Sequence, residues 1–237
     1  MNLVCIHGRA RSGKDELAKV LSKDLGLKVC GLADPIKDIG DYLYGWCDDH
    51  REGYLKEKTV KTRWSSLGEL EVALNSVINK ERDIWGVNEL DKALSLFSNK
   101  VVRKFAPSWV MPIFWLTGKY YLNISPREFY QLLGTEVGRS VKSSTWLDVS
   151  VTPDKIIKDV RFKEELEYTK SKGALIIKVI SNRETIKSNH TSESFTADNA
   201  EVHLVLHNNG TLDDWKLTSK KLAGLLQESG YTSGSGD

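Results

Sequence analysis

The stretch His7–Asp15, HGRARSGKD, decides how the rest of this chain is read. It follows a short apolar run, Leu3 to Ile6, and leads into a segment with helical spacing, so the local order is strand, glycine-bearing loop, helix. Gly8 and Gly13 bracket four residues and Lys14 follows. This is the G-x-x-x-x-G-K frame, in which backbone N–H groups wrap phosphate oxygens and the lysine reaches the β- and γ-phosphates. An anion held there sits at a helix N-terminus, where unsatisfied N–H groups and the helix dipole both favour negative charge. The alternative is a glycine-rich surface turn before an ordinary helix; the strand-like run just ahead of the loop favours phosphate. Asp15 stands where the frame usually carries Ser or Thr. A carboxylate cannot donate a hydrogen bond and repels phosphate unless Mg²⁺ lies between them. Asp15 is therefore an ion ligand, directly or through water, or the mark of a decayed site.

With 237 residues and 40% hydrophobic content, the chain has enough apolar material for one α/β domain with an inserted subdomain, the preferred reading, or for two small domains. A formal charge of +2 is near balance, which argues against a coat for polymeric nucleic acid or a polybasic membrane binder. A small anionic ligand needs only a few local cations. Three cysteines, Cys5, Cys30 and Cys47, have no metal-type spacing and read as free thiols in a reducing compartment. With no signal-peptide pattern and no apolar run near about 18 residues, a soluble cytoplasmic protein is expected. A homodimer is compatible with these numbers.

Leu17, Val20, Leu21 and Leu25 recur at helical spacing and Gly26 stops the pattern, which places the first helix at 15–25. Residues 27–32 read as a second strand. The segment Ala33-Asp34-Pro35-Ile36-Lys37 then turns into another helix, with Pro35 in its first turn. Strand ends of this kind face the ligand crevice of an α/β sheet, making Asp34 and Lys37 candidates for a second substrate; an N-cap aspartate and a solvated lysine is the competing reading. Residues 45–124 are the least regular. The charged run 56–63 predicts a solvated, mobile face, helical spacing recurs at 68–80 and 88–105, and an aromatic-rich stretch occupies 107–122. The region is expected to be an inserted helical subdomain acting as a substrate-binding lid. The core would then be 1–44 and 125–228, with a disordered Gly/Ser-rich tail at 229–237.

Ser125-Pro126-Arg127-Glu128 is a capping box with proline at the first helical position, so a helix starts here. At about 100° per residue, Phe129, Leu132, Leu133 and Val137 form a core stripe, while Arg127, Gln131, Gly134, Thr135 and Gly138 share the opposite face. Two glycines in a helix interior each cost on the order of 1 kcal/mol, a cost accepted where something approaches the backbone closely. A phosphate on Arg127, a base edge on Gln131 and a sugar or base over Gly134 and Thr135 would fit; tight helix packing through the glycines is the alternative. Further on, Lys155–Val160 reads as a strand that leaves Asp159 at its C-terminal end, placed for an ion or a sugar, or for a salt bridge with Arg161. Residues 163–172 read as a charged helix and 174–180 as a strand buried on both faces. Arg183 follows it, as a cation for transferring phosphate or a plain surface arginine. A last strand at 202–207 and a closing helix at 212–227 complete the pattern.

Five stretches carry a likeness in consistent order: GRARSGKD at 8–15, ADPIK at 33–37, SPREFYQLLGTEVGR at 125–139, DVRF at 159–162, and the pair HTSE at 190–193 and NNGTL at 208–212. Together they resemble a bacteriophage-type deoxynucleoside monophosphate kinase of the P-loop nucleoside monophosphate kinase fold. That resemblance implies a three-layer α/β/α fold with a mainly parallel sheet and, for a phage protein, action in the host cytoplasm. It implies ATP held by Gly8, Ala10, Ser12, Gly13, Lys14 and Asp15, with Glu16 adjacent; Arg183, a candidate from its place after the strand, is followed by Glu184 where the family has proline. Mg²⁺ would sit by Asp15 and Asp159. The resemblance implies a deoxynucleotide held by Arg127, Gln131, Gly134 and Thr135, with Trp146 near the base, to which the strand-end reading adds Asp34, Lys37 and Asp159. Aspartate after the loop lysine is usual in that family, which makes Asp15 part of a working loop. Lys14, Asp15 and Arg127 would carry the transfer. Two other readings stay open: a P-loop kinase of another small acceptor, such as a ribonucleotide, and a non-catalytic ATP switch.

Overall fold

The computed structural model describes residues 2–9, 11–64, 67–102, 104, 120–160, 162–182 and 202–232. Expectations for Ala10, Arg161, Arg183, the HTSE segment and the aromatic run up to residue 119 lie outside them.

In chain order the elements are β1 (Leu3–Gly8), α1 (Lys14–Leu25), β2 (Lys28–Gly31), α2 (Asp34–Tyr44), α3 (Asp48–Arg51), a 3₁₀ turn (Tyr54–Glu57), β3 (Val60–Trp64), α4 (Leu67–Ile78), α5 (Val87–Phe97) and a π-helical turn (Ser98–Val102). Then follow β4 (Tyr120–Ile124), α6 (Pro126–Gln131) running into a π-helical segment (Leu132–Arg139), α7 (Thr145–Ser150), β5 (Lys155–Lys158), α8 (Lys163–Ser171), β6 (Leu175–Ile180), β7 (Leu204–His207) and α9 (Leu212–Glu228). These elements form two compact units, Met1–Leu32 with Ser150–Asp237, and Ala33–Val149.

The first unit is built on a five-stranded, all-parallel sheet in the order β2-β5-β1-β6-β7. Side chains alternate across a strand, so each face has its own cover. Val4 and Ile6 of β1 pack with Leu17 and Leu21 of α1 and with Trp215 and Leu222 of α9. Cys5 points the other way and shares a hydrogen bond with Thr169 of α8; burial pushes its thiol up to about 12, leaving it inert. The result is the expected three-layer α/β/α arrangement. With every strand parallel, the C-terminal ends of β1, β5, β6 and β7 fall along one edge of the sheet. β1 is central, and the chain runs to β2 on one side and to β6 and β7 on the other. The loop after β1 therefore opens where the strand order reverses, the usual ligand position in open α/β sheets.

The second unit has its own core, drawn from Ile36 and Ile39 of α2, Leu70 and Leu74 of α4, Phe97 of α5, and Phe129, Leu133 and Val137 of the 126–139 helix. Fully burying each such side chain contributes about 1.5–3 kcal/mol. Trp85 is buried in the same core, and its indole N–H donates to Thr145 Oγ1 at 3.0 Å. The charged run at 56–63 is exposed at Glu57, Lys58 and Thr59, as its composition suggests, but it does not stay a bare surface segment. It enters β3, which pairs antiparallel with β4 in a register from Val60↔Ile124 to Trp64↔Tyr120. The partner strand is far away in sequence, so local charge density gave no sign of the pairing, and the region is not purely helical.

Candidate active site

In the first unit, the candidate phosphate-binding stretch is the loop between β1 and α1. Gly8 ends β1 because nothing larger fits: a Cβ there would lie 2.7 Å from the Val179 carbonyl oxygen and 2.8 Å from Ser12 Oγ. Arg11 (φ 64) and Gly13 (φ 98) both adopt the left-handed conformation. Such turns aim successive N–H groups inward and form an anion-binding concavity. Gly13 is also the N-cap of α1, with no side-chain cap. The first-turn N–H groups of α1 are thus offered to whatever enters the loop. The Ser12 hydroxyl is buried with no hydrogen-bond partner among the described residues, as expected of a group that waits for a ligand oxygen or water.

Two ion pairs frame the loop. The Lys14 ammonium lies 3.8 Å from the carboxylate of Asp159, and Lys158 Nζ lies 3.3 Å from Asp15 Oδ1. Asp159 occupies the turn directly after β5 with φ 65, so the backbone itself is bent to present it at the sheet edge. His7 braces the same turn, its Nδ1 lying 2.9 Å from the carbonyl oxygen of Val160. Burial lowers the His7 pKa, the Val160 bond opposes that, and Lys178 and Lys14 add to the lowering, so the ring stays neutral. Glu16, half-buried, sits beside Asp15 in the first turn of α1.

The second unit carries the remaining expected residues. The capping box at Ser125 forms as read: Ser125 Oγ accepts from the Glu128 N–H at 3.3 Å, while Glu128 Oε2 accepts from the Ser125 N–H at 3.1 Å. Those bonds from the Ser125 side chain and backbone hold the Glu128 carboxyl below its ordinary range. One turn in, exposed Arg127 pairs with Glu57 of the 3₁₀ turn. Gln131 and Thr135 are also exposed on this helix. Lys37 pairs with Asp34 at 3.2 Å and with Glu52. Burial alone would lower its pKa, but Glu52 and Asp34 outweigh that and raise it.

Gly134 and Gly138 part company with the exposed face. The helix is π-wound from Leu132 to Arg139, so each turn takes an extra residue and the 100° spacing read from sequence no longer holds. Both glycines are buried. A Cβ on Gly134 would come 2.9 Å from Ile36 Cδ1, and one on Gly138 would come 2.3 Å from Trp146 Cζ2. Trp146 is 4% exposed, and its indole N–H donates to the Gly134 carbonyl at 2.8 Å. The close approach foreseen at these glycines is thus filled by the protein's own side chains, while Arg127, Gln131 and Thr135 remain turned outward.

Sequence reasoning did not anticipate Glu57, Lys158 or His7 at these positions. Each is an ordinary charged or polar residue whose partner is distant in the chain. Among the described residues no helix is long and apolar enough to cross a membrane.

Comparison with known proteins gives the family. A family model described as deoxynucleotide monophosphate kinase matches residues 2–220. The chain is also 29% identical over 220 residues to the deoxynucleoside-5′-monophosphate kinase of Escherichia phage T5, covering 81% of this chain and 84% of that protein.

Proposed function

We propose, because this chain belongs to the deoxynucleotide monophosphate kinase family, that its loop from Gly8 to Lys14 holds ATP and that Arg127, Gln131 and Thr135 hold the acceptor nucleotide. The activity is that of the family: phosphoryl transfer from ATP to a deoxynucleoside 5′-monophosphate, which yields ADP and the deoxynucleoside diphosphate. The observation that carries the residue roles is the loop itself. Two left-handed residues and a helix N-terminus with no side-chain cap converge on one cradle, with a buried serine hydroxyl that has no partner among the described residues and a lysine at its lip.

Such a reaction asks for positioning and charge neutralisation rather than covalent chemistry by the protein. The N–H groups of Gly13 and Lys14 bind phosphate oxygens of ATP. The Lys14 ammonium exchanges Asp159 for the charge on the β- and γ-oxygens. Arg127 gives up Glu57 to grip the acceptor phosphate, and Gln131 and Thr135 read its nucleoside. Asp34 and Lys37, already paired with each other, stand by as further substrate contacts, and Trp146 supports the helix backbone from beneath.

Magnesium fits the loop. Among the described residues no group of three or more His, Cys, Asp or Glu side chains gathers to cage a metal. Mg²⁺ needs no such cage: it takes one or two carboxylates, keeps waters and completes its shell with substrate phosphate. Asp15 and Asp159 would hold it, directly or through water, and the bound ion would neutralise charge on the phosphates.

ATP and a mononucleotide are the partners of this reading, acting in the cytoplasm, where the free cysteines stay reduced. A panel of deoxynucleoside and ribonucleoside monophosphates and small alcohols, assayed for ADP release, tests it. Release with deoxynucleotides that is lost in Lys14→Ala, and whose acceptor KM rises in Arg127→Ala, is the expected result. Release with alcohols or ribonucleotides alone changes the acceptor. Tight ATP binding with no acceptor-stimulated release makes the protein a switch.

A further inference from the structure

The NNGTL segment at 208–212 has no part in the reaction described so far, yet it lies on the phosphate loop. Asn208 follows β7 at the same sheet edge as the loop, and its side-chain Nδ2 donates to the Ser12 carbonyl at 2.9 Å. Trp215, in the first turns of α9, donates its indole N–H to the Gly13 carbonyl at 3.0 Å. Both side chains are almost wholly buried, at 7% and 3% exposure, and both are held from behind. Asn208 N–H donates to the Ile180 carbonyl at 2.8 Å, and its own carbonyl accepts from Ser181 Oγ at 2.9 Å. Thr211 caps α9 by accepting the Asp214 N–H at 3.2 Å, which fixes where the helix, and so Trp215, begins.

A trans peptide is planar, so its C=O and the following N–H point in opposite directions. Ser12 C=O shares a plane with Gly13 N–H, and Gly13 C=O shares the next with Lys14 N–H. Pulling the two carbonyls toward Asn208 and Trp215 therefore turns the N–H groups of Gly13 and Lys14 the other way, into the cradle. Gly13 is pinched between the same two side chains: a Cβ on it would lie 2.3 Å from Asn208 Nδ2 and 2.9 Å from Trp215 Nε1. We propose that Asn208 and Trp215 are positioning residues, a clamp that orients the Gly13 and Lys14 amides for the triphosphate and so sets the grip on ATP without touching it. The proposal rests on the reading of this loop as the ATP site.

The test compares wild type with Trp215→Phe, which keeps an aromatic ring but deletes the donor together with part of the indole's bulk, and with Asn208→Asp, which keeps the shape but turns an acceptor toward the Ser12 carbonyl. ATP affinity is measured by calorimetry with Mg²⁺ present, and KM for ATP and for the acceptor by ADP release. Each variant is expected to raise the ATP Kd and KM roughly tenfold, the weight of one lost hydrogen bond, with acceptor KM within about twofold; after Trp215→Phe the Gly13 carbonyl still accepts the Leu17 N–H at 3.1 Å. A merely structural role would lower melting temperature and the active fraction while both KM values stayed put, and that pattern overturns the clamp. Should Asn208→Asp fail to fold, Trp215→Phe alone decides. Wild type that binds no ATP overturns the functional reading itself; wild type that turns over normally while the folded variants keep their ATP KM overturns the clamp alone.

Discussion

Lys14 and Asp159 face each other across 3.8 Å at the mouth of the phosphate loop, the lysine nearly buried and the aspartate bent into place on a left-handed turn. In the proposed reaction this carboxylate holds the ammonium at the loop until a phosphate displaces it. It also offers a hard oxygen to an ion.

Asparagine tolerates the left-handed backbone as well as aspartate does, so Asp159→Asn removes charge without strain. We expect it to melt close to wild type, to turn over at least about tenfold more slowly, and to need more magnesium for half-maximal rate, because one hard ligand is gone. A magnesium titration on both proteins reads this directly; identical curves would remove Asp159 from the ion's surroundings.

His7 is kept neutral in the fold, chiefly by burial. An unfolded histidine titrates near about 6.5, so its contribution to stability is complete above that pH. As pH falls below it, the unfolded chain takes up a proton that the folded chain refuses, and stability declines until the lower folded pKa is passed. Melting temperature from pH 8 to 5 should drop less steeply in His7→Asn, whose amide can still donate to the Val160 carbonyl. Parallel profiles would mean that His7 does not carry the slope.

The two helix glycines should respond differently to alanine. At Gly138 the new methyl meets the rigid indole of Trp146 at 2.3 Å, whereas at Gly134 it meets the end of the flexible Ile36 side chain at 2.9 Å. Overpacking a rigid neighbour costs about 1–3 kcal/mol, while replacing a helical glycine by alanine returns about 1 kcal/mol. Gly138→Ala is therefore expected to lose stability clearly and Gly134→Ala to stay near neutral, as denaturant melts of both would reveal. Equal losses would mean that Trp146 does not define the contact.

Glu57 pairs with Arg127, so in the proposed reaction it would compete with the acceptor phosphate for that guanidinium. The pair is half-exposed, so it adds only about 0–1 kcal/mol to stability. Glu57→Gln should leave the melting point alone and lower the acceptor KM about two- to fivefold, the same energy expressed as affinity. An unchanged acceptor KM would place the acceptor phosphate elsewhere than on Arg127.

The fold was largely legible because its signals are local. Strand, loop and helix around Gly8–Lys14, the parallel strand 175–180 and the capping box at Ser125 each announce themselves within a few residues. What escaped depends on distant partners or on winding. β3 became visible only with β4 beside it; packing through Gly134 and Gly138 was open as an alternative, but that Ile36 and Trp146 fill it depends on π winding and on residues outside the helix. The same holds for Asn208 and Trp215. NNGTL could be quoted from sequence, but its contact with Ser12 spans 196 positions and only the folded sheet edge brings the two together.

Transfer of a labelled γ-phosphoryl group from ATP to a deoxynucleoside monophosphate, followed by separation of the nucleotides, tests the central claim most directly. The account predicts label in the deoxynucleoside diphosphate for wild type, strict dependence on the acceptor, and none with Lys14→Ala. Label appearing only as inorganic phosphate, or appearing in diphosphate undiminished when Lys14 is removed, would contradict it.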